Sequence, residues 1–207
     1  MFKRKCKVTF IAHGSTVYSE ENRITDRQDY PQINDTGYIE INKILEFIKN
    51  RGLKTDKIYT SPALCCVQSA EIISQELKMD FDVLPELYNR KCGIWSGLTF
   101  EEIEQKYPDL MEKYHKNPLM VYPENGEILE SFNNRVKDIL ENIINENIGG
   151  RIIVVTHPSI IQSAIKSTLN IAEGNQYKVY IRTASATQIS YFENWSSLVY
   201  SNYKSLI

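Results

Sequence analysis

Paired cysteines, long apolar runs and an excess of charge of either sign are all missing from this sequence. The four cysteines, at positions 6, 65, 66 and 92, show neither the spacing of a disulfide framework nor that of a zinc ribbon. Reduced thiols in a cytoplasmic protein are therefore expected. No stretch approaches the ~20 apolar residues of a membrane span. The apolar stretch behind the basic amino terminus is shorter than the ~7–15 residues that a signal peptide needs. We expect no membrane partner.

The charge pattern also argues against a nucleic-acid partner. The 207 residues carry a formal net charge of −2, and the basic residues are scattered rather than clustered. Neither an internal repeat nor a low-complexity linker divides the chain, and its length suits one sizeable α/β domain. We therefore predict a single domain over residues 1–207, with a helical and loop excursion at about 98–127.

Short apolar runs alternate with amphipathic helical patterns. This order is typical of a three-layer α/β fold, in which helices flank a mostly parallel central sheet. Three alternating segments near the carboxyl end predict late antiparallel strands. The predicted strands are Val8–Ile11, Lys57–Thr60, Phe81–Leu84, Ile152–Thr156, Lys178–Ile181, Thr187–Phe192 and Leu198–Ser201.

Helix starts are predicted from capping residues. Asp35 or Thr36 is expected to cap a helix that ends at Gly52. Ser61 is expected to cap the next helix, with Pro62 at its first position. Further helices are predicted from the capping box at Thr99–Glu102, around 110–115, over about 128–147 and from Pro158 to about 168.

Two predicted strands each end in a histidine. His13 follows the first strand and precedes Gly14, while His157 follows the strand at 152–156. Parallel strands present their carboxyl ends at one sheet edge, where α/β proteins bind ligands, so we expect the two imidazoles to lie together. The polar segment from Gly14 to Thr36 exceeds an ordinary connection, and such loops usually shape a site.

Five motifs in this order resemble those of the histidine phosphatase superfamily, the phosphoglycerate mutase-like fold. The family's Arg-His-Gly-Glu-Thr, Ser-Pro-x-x-Arg-x-x-Gln-Thr-Ala and Leu-x-Glu-x-x-x-Gly-x-Trp-x-Gly are similar to residues 12–16, 61–70 and 87–97. Its Gly-Glu followed by Arg-Val, and its Val-x-His-Gly, are similar to 126–136 and 155–158. The resemblance covers nearly the whole chain and implies the same fold.

The resemblance also implies roles. His13 occupies the position of the nucleophile that becomes phosphohistidine, and His157 that of its partner. The clamp and acid positions have changed: Ala12 and Cys65 replace the two arginines, and Asn89 replaces the proton-donating acid. Pro158 replaces a glycine whose N–H faces the phosphoryl group in the family. The implied ligand-binding positions are Gly14, Thr16, Ser61, Arg90, Thr156 and Pro158.

Three arginines are candidates to replace the lost clamp residues. Arg90 follows the acid position, as an arginine does in the mutase branch, while Arg23 and Arg27 lie in the long loop and are expected at the surface. Cys65 is expected in the first turn of a helix, which lowers a thiol's pKa, and the resemblance implies that it points at the two histidines. Cys65 is then either an unreactive buried residue that fills space or a nucleophile. In the second case Asn89 could donate a hydrogen bond to an oxyanion. Cys65 and the two histidines offer metal ligands, but their spacing does not favour a site, and no metal or cofactor is expected.

Two functions remain open. In the first, the fold is kept while the pocket is repurposed for ligand binding or an altered reaction, without general phosphatase activity. In the second, a narrow or weak phosphomonoesterase or phosphoglycerate mutase-like enzyme acts through phosphohistidine at His13. Either function implies a small-molecule ligand. Related proteins often pair through sheet edges, so a homodimer is a further expectation.

Overall fold

A mixed six-stranded sheet forms the centre of the protein. The computed structural model describes residues 4–27, 29, 31–116 and 121–204. Along the sheet the strand order is β3-β2-β4-β1-β5-β6. The pairs β1/β4, β4/β2 and β2/β3 are parallel, while β5 is antiparallel to both β1 and β6. The strands are β1 (Arg4–Ala12), β2 (Lys57–Thr60), β3 (Phe81–Val83), β4 (Arg151–Thr156), β5 (Ala186–Phe192) and β6 (Ser196–Tyr203). The predicted fold class is confirmed.

Helices cover both faces of this sheet. On one face, α2 and α3 pack against Ile11, Ile153 and Val155, and on the other α6 and α7 pack against Phe10 and Val154. Successive side chains of a strand point to opposite faces, so apolar runs in β1 and β4 fill both halves of the core. The helices are α1 (Val17–Glu20), α2 (Asp35–Asn50), α3 (Leu64–Leu77), α4 (Phe100–Lys106), α5 (Pro108–Lys116), α6 (Leu129–Glu146) and α7 (Pro158–Leu169).

Two predicted helix starts are wrong. Asn34, one or two residues before the expected cap, caps α2 by accepting a hydrogen bond from the Gly37 amide. The N-cap of α3 is Ala63, without a side-chain hydrogen bond, so α3 begins two residues later than predicted. The expected cap, Ser61, instead places its hydroxyl 3.1 Å from Nε2 of His157. The same hydroxyl accepts a hydrogen bond from the Ala63 amide at 3.3 Å, so Ser61 orients a pocket side chain while it contacts the residue just before α3.

The strand predicted at 178–181 is also wrong. A 3₁₀ turn spans Asn175–Lys178, and residues 179–181 belong to no strand. The carbonyl of Val179 accepts a hydrogen bond from the Gln162 side chain, and both edges of β5 are already paired, with β1 and with β6. The alternating pattern here reflects a segment that lies against α7 and lacks a neighbouring strand.

The predicted excursion includes residues 117–120, which lie outside the described residues, and its described part forms a small helical cap. The capping box at Thr99 and Glu102 is present and starts α4. Trp95, Ile103 and Met111 are buried together in an apolar cluster apart from the two sheet faces. This cap lies next to the long loop, because the amide of Ile24 donates to the Leu98 carbonyl. Among the residues that the structure describes, no helix is both long and apolar enough to cross a membrane.

Candidate functional site

The two histidines meet at the carboxyl edge of the sheet, as predicted. Strands β1 and β4 are parallel neighbours, and each ends one residue before its histidine. The amide of His13 donates to the carbonyl of Thr156 at 3.0 Å, which continues the ladder to the edge. The ring centroids of His13 and His157 lie 5.4 Å apart at an interplanar angle of 70°. Adjacent parallel strands thus bring together residues 144 positions apart in the chain.

Hydrogen bonds fix the orientation of the His13 ring. Its Nδ1 lies 2.9 Å from the carbonyl oxygen of Gly14 and donates to it, so in the neutral ring Nε2 is the nitrogen with a lone pair. The Gly14 amide donates to the hydroxyl of Ser69, and a Cβ at Gly14 would lie only 2.8 Å from the carbonyl oxygen of Gly37. Close approach of the two glycines therefore holds the backbone below the ring in one position.

The His157 ring is oriented in the opposite sense. Its Nε2 pairs with the Ser61 hydroxyl, while its Nδ1 is buried and has no hydrogen-bond partner among the described residues. A buried polar atom without a partner costs about 1–3 kcal/mol. In native structures such an atom is explained by a catalytic role or by a bound water or ion.

Cys65 lies in the first turn of α3 and completes a cluster with the two rings. Its Sγ and one nitrogen from each of His13 and His157 lie within 4.8 Å of one another, and all three residues are buried. The predicted placement of Cys65 beside the histidine pair is thus present in the structure. Its neighbour Cys66 has its Sγ 3.7 Å from Nε2 of His157.

The electrostatics of this cluster separate the two thiols. A hydrogen bond from Cys66 lowers the pKa of Cys65 well below its usual range, against the effect of burial and with the help of the His13 charge. Burial raises the pKa of Cys66 well above its usual range. Burial disfavours the charged form of His13, but the neighbouring Cys65 outweighs this and raises the pKa of His13. Burial lowers the pKa of His157 to about 3, so this imidazole is neutral near neutral pH.

Asn89 stands where the resemblance places the proton-donating acid, and its side chain forms hydrogen bonds with backbone groups and a hydroxyl. Its side-chain amide donates to the carbonyl of Thr25 at 2.7 Å. Its Oδ1 accepts from the Ser159 hydroxyl at 2.5 Å and from the Arg90 amide at 2.8 Å. An amide supplies no proton near neutral pH, and one of its two N–H groups is already bonded to the Thr25 carbonyl, so an oxyanion contact from Asn89 stays a prediction.

The arginines considered as replacement clamps are already paired, although Arg23 lines the cleft described below. Arg90 donates from Nε to the Glu127 carbonyl at 2.9 Å and from Nη1 to the Tyr177 hydroxyl at 3.2 Å. Arg27 lies 3.5 Å from the Glu127 carboxylate. Arg23 pairs with the carboxylates of Glu21 and Glu102. A clamp role for Arg90 therefore requires it to leave these contacts, and it stays a prediction.

Other predicted ligand positions have structural contacts. The Thr16 side chain caps α1 by accepting from the Ser19 amide. The hydroxyl of Thr156 donates to the carbonyl of Leu87 at 3.1 Å, and its side chain is fully buried. Pro158 is the first residue of α7, where its missing N–H costs no helical hydrogen bond. Of these, only Pro158 lines the open cleft described next.

An open cleft of about 860 Å³ lies above His13. Asn89 and Pro158 line it, together with the exposed rings of Phe100 and Tyr180. Its volume falls within the range of roughly 300–1,000 Å³ that is usual for small-molecule sites. The cleft therefore has the dimensions of a ligand site with His13 at its wall.

Sequence reasoning missed the cations that this cleft receives from the carboxyl end of the chain. Arg182 lines the cleft, and its Nε is buried without a hydrogen-bond partner among the described residues. Lys204 also lines it and pairs at 2.5 Å with Glu40, which is 5% exposed. Glu40 in turn accepts from the amide and hydroxyl of Ser15. No motif surrounds these residues, so only tertiary structure reveals them.

Comparison with known proteins places this arrangement in a family. The chain matches the model of the histidine phosphatase superfamily (branch 1) over residues 8–204. It is 26% identical over 159 residues to the phosphoglycerate mutase-like protein 4 of Arabidopsis thaliana, covering 76% of this chain and 68% of that protein. It is 24% identical over 193 residues to a bifunctional protein of Mycobacterium tuberculosis, covering 93% of this chain. The chain spans about half the length (52%) of such mycobacterial relatives.

Solved structures show the same fold at lower identity. The α-ribazole phosphatase of Shigella flexneri superposes with a TM-score of 0.85 at 14% identity, covering 95% of this chain and 96% of that one. The phosphoserine phosphatase of Entamoeba histolytica with 3-phosphoglyceric acid gives a TM-score of 0.79 at 19% identity, with coverage of 96% and 97%. The matched range, the paired histidines and the sheet together show that this chain belongs to the histidine phosphatase superfamily, branch 1.

Proposed function

We propose that this protein keeps the histidine phosphatase fold without general phosphomonoesterase activity and binds a small molecule in the cleft above His13. One observation carries the proposal. The Cys65 sulfur stands within 4.8 Å of both imidazoles, in place of the guanidinium that the resemblance requires there. A sulfur cannot donate the paired N–H bonds with which arginine holds phosphoryl oxygens.

The remaining phosphoryl contacts are weakened in the same pocket. Ala12 is fully buried and has no polar side chain, and the Asn89 amide cannot donate a proton to a leaving group. Loss of one preorganised donor costs about 10²–10³ in turnover, and loss of a general acid about 10²–10⁴. These factors do not simply multiply, but two or three of them bring ordinary phosphatase turnover towards background.

The second candidate is a narrow or weak phosphoesterase that forms phosphohistidine at His13. Two observations favour it: the hydrogen bond from Nδ1 to the Gly14 carbonyl leaves Nε2 as the His13 nitrogen available for attack, and relatives include a phosphoserine phosphatase of Hydrogenobacter thermophilus, 25% identical over 151 residues. Against it, Arg90 and Arg23 are each held by other partners. Such an enzyme would have to recruit Arg182 or release one of those arginines to bind phosphate.

Steady-state hydrolysis of p-nitrophenyl phosphate separates the two candidates. The wild-type protein, with and without prior chelator treatment, is compared with His13→Ala. We expect both proteins to show the same background rate. Hydrolysis by wild type that is lost in His13→Ala contradicts the proposal and supports the phosphoesterase. Hydrolysis that survives His13→Ala identifies a contaminating enzyme, and the two rates are then compared again after that enzyme has been removed.

Ligand binding in the cleft needs a separate test. Arg182 and the exposed Tyr180 ring suit a polar or anionic molecule with a planar part. A thermal-shift screen of anionic aromatic metabolites is expected to yield compounds that stabilise wild type and do not stabilise Tyr180→Ala. Tyr180 is 75% exposed, so its removal should leave the fold intact. Equal stabilisation of both proteins contradicts this site.

The cytoplasmic location and the homodimer belong to the same proposal. Four free cysteines suit a reducing compartment. Among the described residues the outer strand β6 pairs only with β5, so its other edge is a place where a second copy could pair. Sedimentation equilibrium of the purified protein is expected to give the mass of two chains, and the mass of a single chain at high concentration contradicts the dimer.

A further inference from the structure

We propose that Cys65, His13 and His157 form a binding site for a divalent transition metal of the Zn²⁺ class, with one coordination position open to the cleft. The inference goes beyond ligand binding in the cleft, and it rests on ligand geometry rather than on the loss of phosphatase activity. One thiolate and two imidazoles form a donor set that suits Zn²⁺ and Co²⁺ and disfavours Mg²⁺ and Ca²⁺.

The three donor atoms converge closely enough for coordination. Zinc–sulfur bonds of about 2.3 Å and zinc–nitrogen bonds of about 2.0–2.1 Å in a tetrahedral site place neighbouring ligand atoms roughly 3.3–3.6 Å apart. In the structure these atoms lie within 4.8 Å of one another. Side-chain movements of about 1 Å close the difference, which is within ordinary rotamer adjustment.

A second observation points to a missing ligand. The His157 Nδ1 is buried, and no described residue offers it a hydrogen bond. The contact of His13 with Cys65 satisfies those two side chains and leaves this nitrogen without a partner. A metal ion bound by all three would occupy it, and the proton that Cys65 and His13 share would leave to solvent as the metal–sulfur and metal–nitrogen bonds form.

The surroundings resemble the outer shell of a metal site. Ligating histidines usually donate their second ring N–H to a carbonyl, hydroxyl or water, which fixes the tautomer that binds the metal. His13 donates from Nδ1 to the Gly14 carbonyl, and the Nε2 of His157 lies 3.1 Å from the Ser61 hydroxyl. Each ring therefore keeps one nitrogen for the metal.

The fourth position faces the cleft. Of the three residues, His13 lines the cleft, whereas Cys65 and His157 lie fully buried behind it. Catalytic zinc sites have three protein ligands and an open position of this kind, while structural sites have four. A metal here would thus meet whatever molecule enters the cleft.

Cobalt(II) titration of chelator-treated, reduced protein tests the site. We expect a near-ultraviolet sulfur-to-cobalt charge-transfer band and intense visible bands of tetrahedral cobalt, saturating at one ion per chain. Cys65→Ser should lose the near-ultraviolet band. The matched control Cys92→Ser should keep the near-ultraviolet band. The Cys92 thiol donates a hydrogen bond to the Arg90 carbonyl and is not part of the cluster formed by Cys65 and the two histidines.

Ser61→Ala keeps the test decisive if Cys65→Ser does not fold. It retains all three ligands and should weaken cobalt binding about 10–100-fold, as the loss of an outer-shell partner does. The proposal is overturned if wild type shows no thiolate–cobalt band, because Cys65 and the histidines would then interact without binding a metal. It is also overturned if the band persists in Cys65→Ser. Unchanged affinity in Ser61→Ala also overturns it. Hydrolysis of p-nitrophenyl phosphate by the metal-free protein bears on the proposed function alone.

Discussion

Replacement of Arg135 by methionine should strongly destabilise the segment that carries Asn89. The guanidinium binds the Glu127 carboxylate through two hydrogen bonds, from Nε at 2.9 Å and from Nη2 at 2.8 Å. It also donates to the carbonyls of Glu86 at 2.5 Å and Tyr88 at 3.1 Å. One side chain thus joins α6 to the backbone leading into the site.

The magnitude follows from burial. The side chains of Arg135 and Glu127 are 18% and 14% exposed, between a surface pair and a fully buried one. Exposed pairs contribute about 0–1 kcal/mol, and removal of one partner of a buried pair costs about 3–5 kcal/mol. We expect Arg135→Met to lower the free energy of unfolding by about 2–4 kcal/mol. For a chain of this size each kcal/mol lowers Tm by roughly 2–4 °C.

Urea denaturation of Arg135→Met, Glu127→Gln and the double variant measures this pair directly. The control is Lys116→Met, whose i,i+4 partner Glu112 lies on an exposed helix surface, with the two side chains 73% and 66% exposed. The control should cost less than about 0.5 kcal/mol. If Arg135→Met costs no more than the control, or if the double-mutant cycle gives no coupling energy, the structural role assigned to this pair is wrong.

Two further predictions concern the backbone below His13. Lys204→Met leaves Glu40, whose side chain is 4% exposed, without its cation, so it should lower the free energy of unfolding by about 2–4 kcal/mol in chemical denaturation. Lys204→Arg should retain most of the stability. Equal losses in the two variants contradict the pairing. Gly37→Ala places a Cβ 2.4 Å from the Ser15 carbonyl oxygen and should cost about 3 kcal/mol, at the upper end for overpacking. Gly52→Ala, which meets open space, should cost only about 1 kcal/mol, and a Gly37→Ala no worse than this refutes the close approach.

The sheet and the histidine pair were predictable because they depend on local patterns. Apolar runs identify the buried strands, and a parallel sheet brings their carboxyl ends to one edge, so His13 and His157 could be placed together from sequence. The same reasoning predicted a strand at residues 178–181 that is not present. Alternating apolar and polar residues indicate that a segment is partly buried, but they do not show that a neighbouring strand is available to pair with it. The hydroxyl of Ser61 was assigned to a helix cap because local capping rules take no account of a histidine 96 residues away.

The chemistry around the pair was less accessible to sequence. The rotation of α3 decides that Cys65 faces the rings, and the resemblance supplied that orientation before the structure showed it. The hydrogen bonds of Asn89 depend on where the long loop places Thr25, for which the sequence has no motif. Arg182 and Lys204 reach the cleft from beyond β4, so no spacing rule connects them with His13.

The central claim is that His13 no longer receives a phosphoryl group, and intact-protein mass spectrometry after brief incubation with a phosphoryl donor tests it most directly. Acetyl phosphate and 3-phosphoglycerate serve as donors, followed by quenching at alkaline pH, where phosphohistidine survives. His13→Ala is the matched control. We expect wild type and His13→Ala to show the same unmodified mass. An added phosphoryl group in wild type that is absent from His13→Ala would contradict the claim.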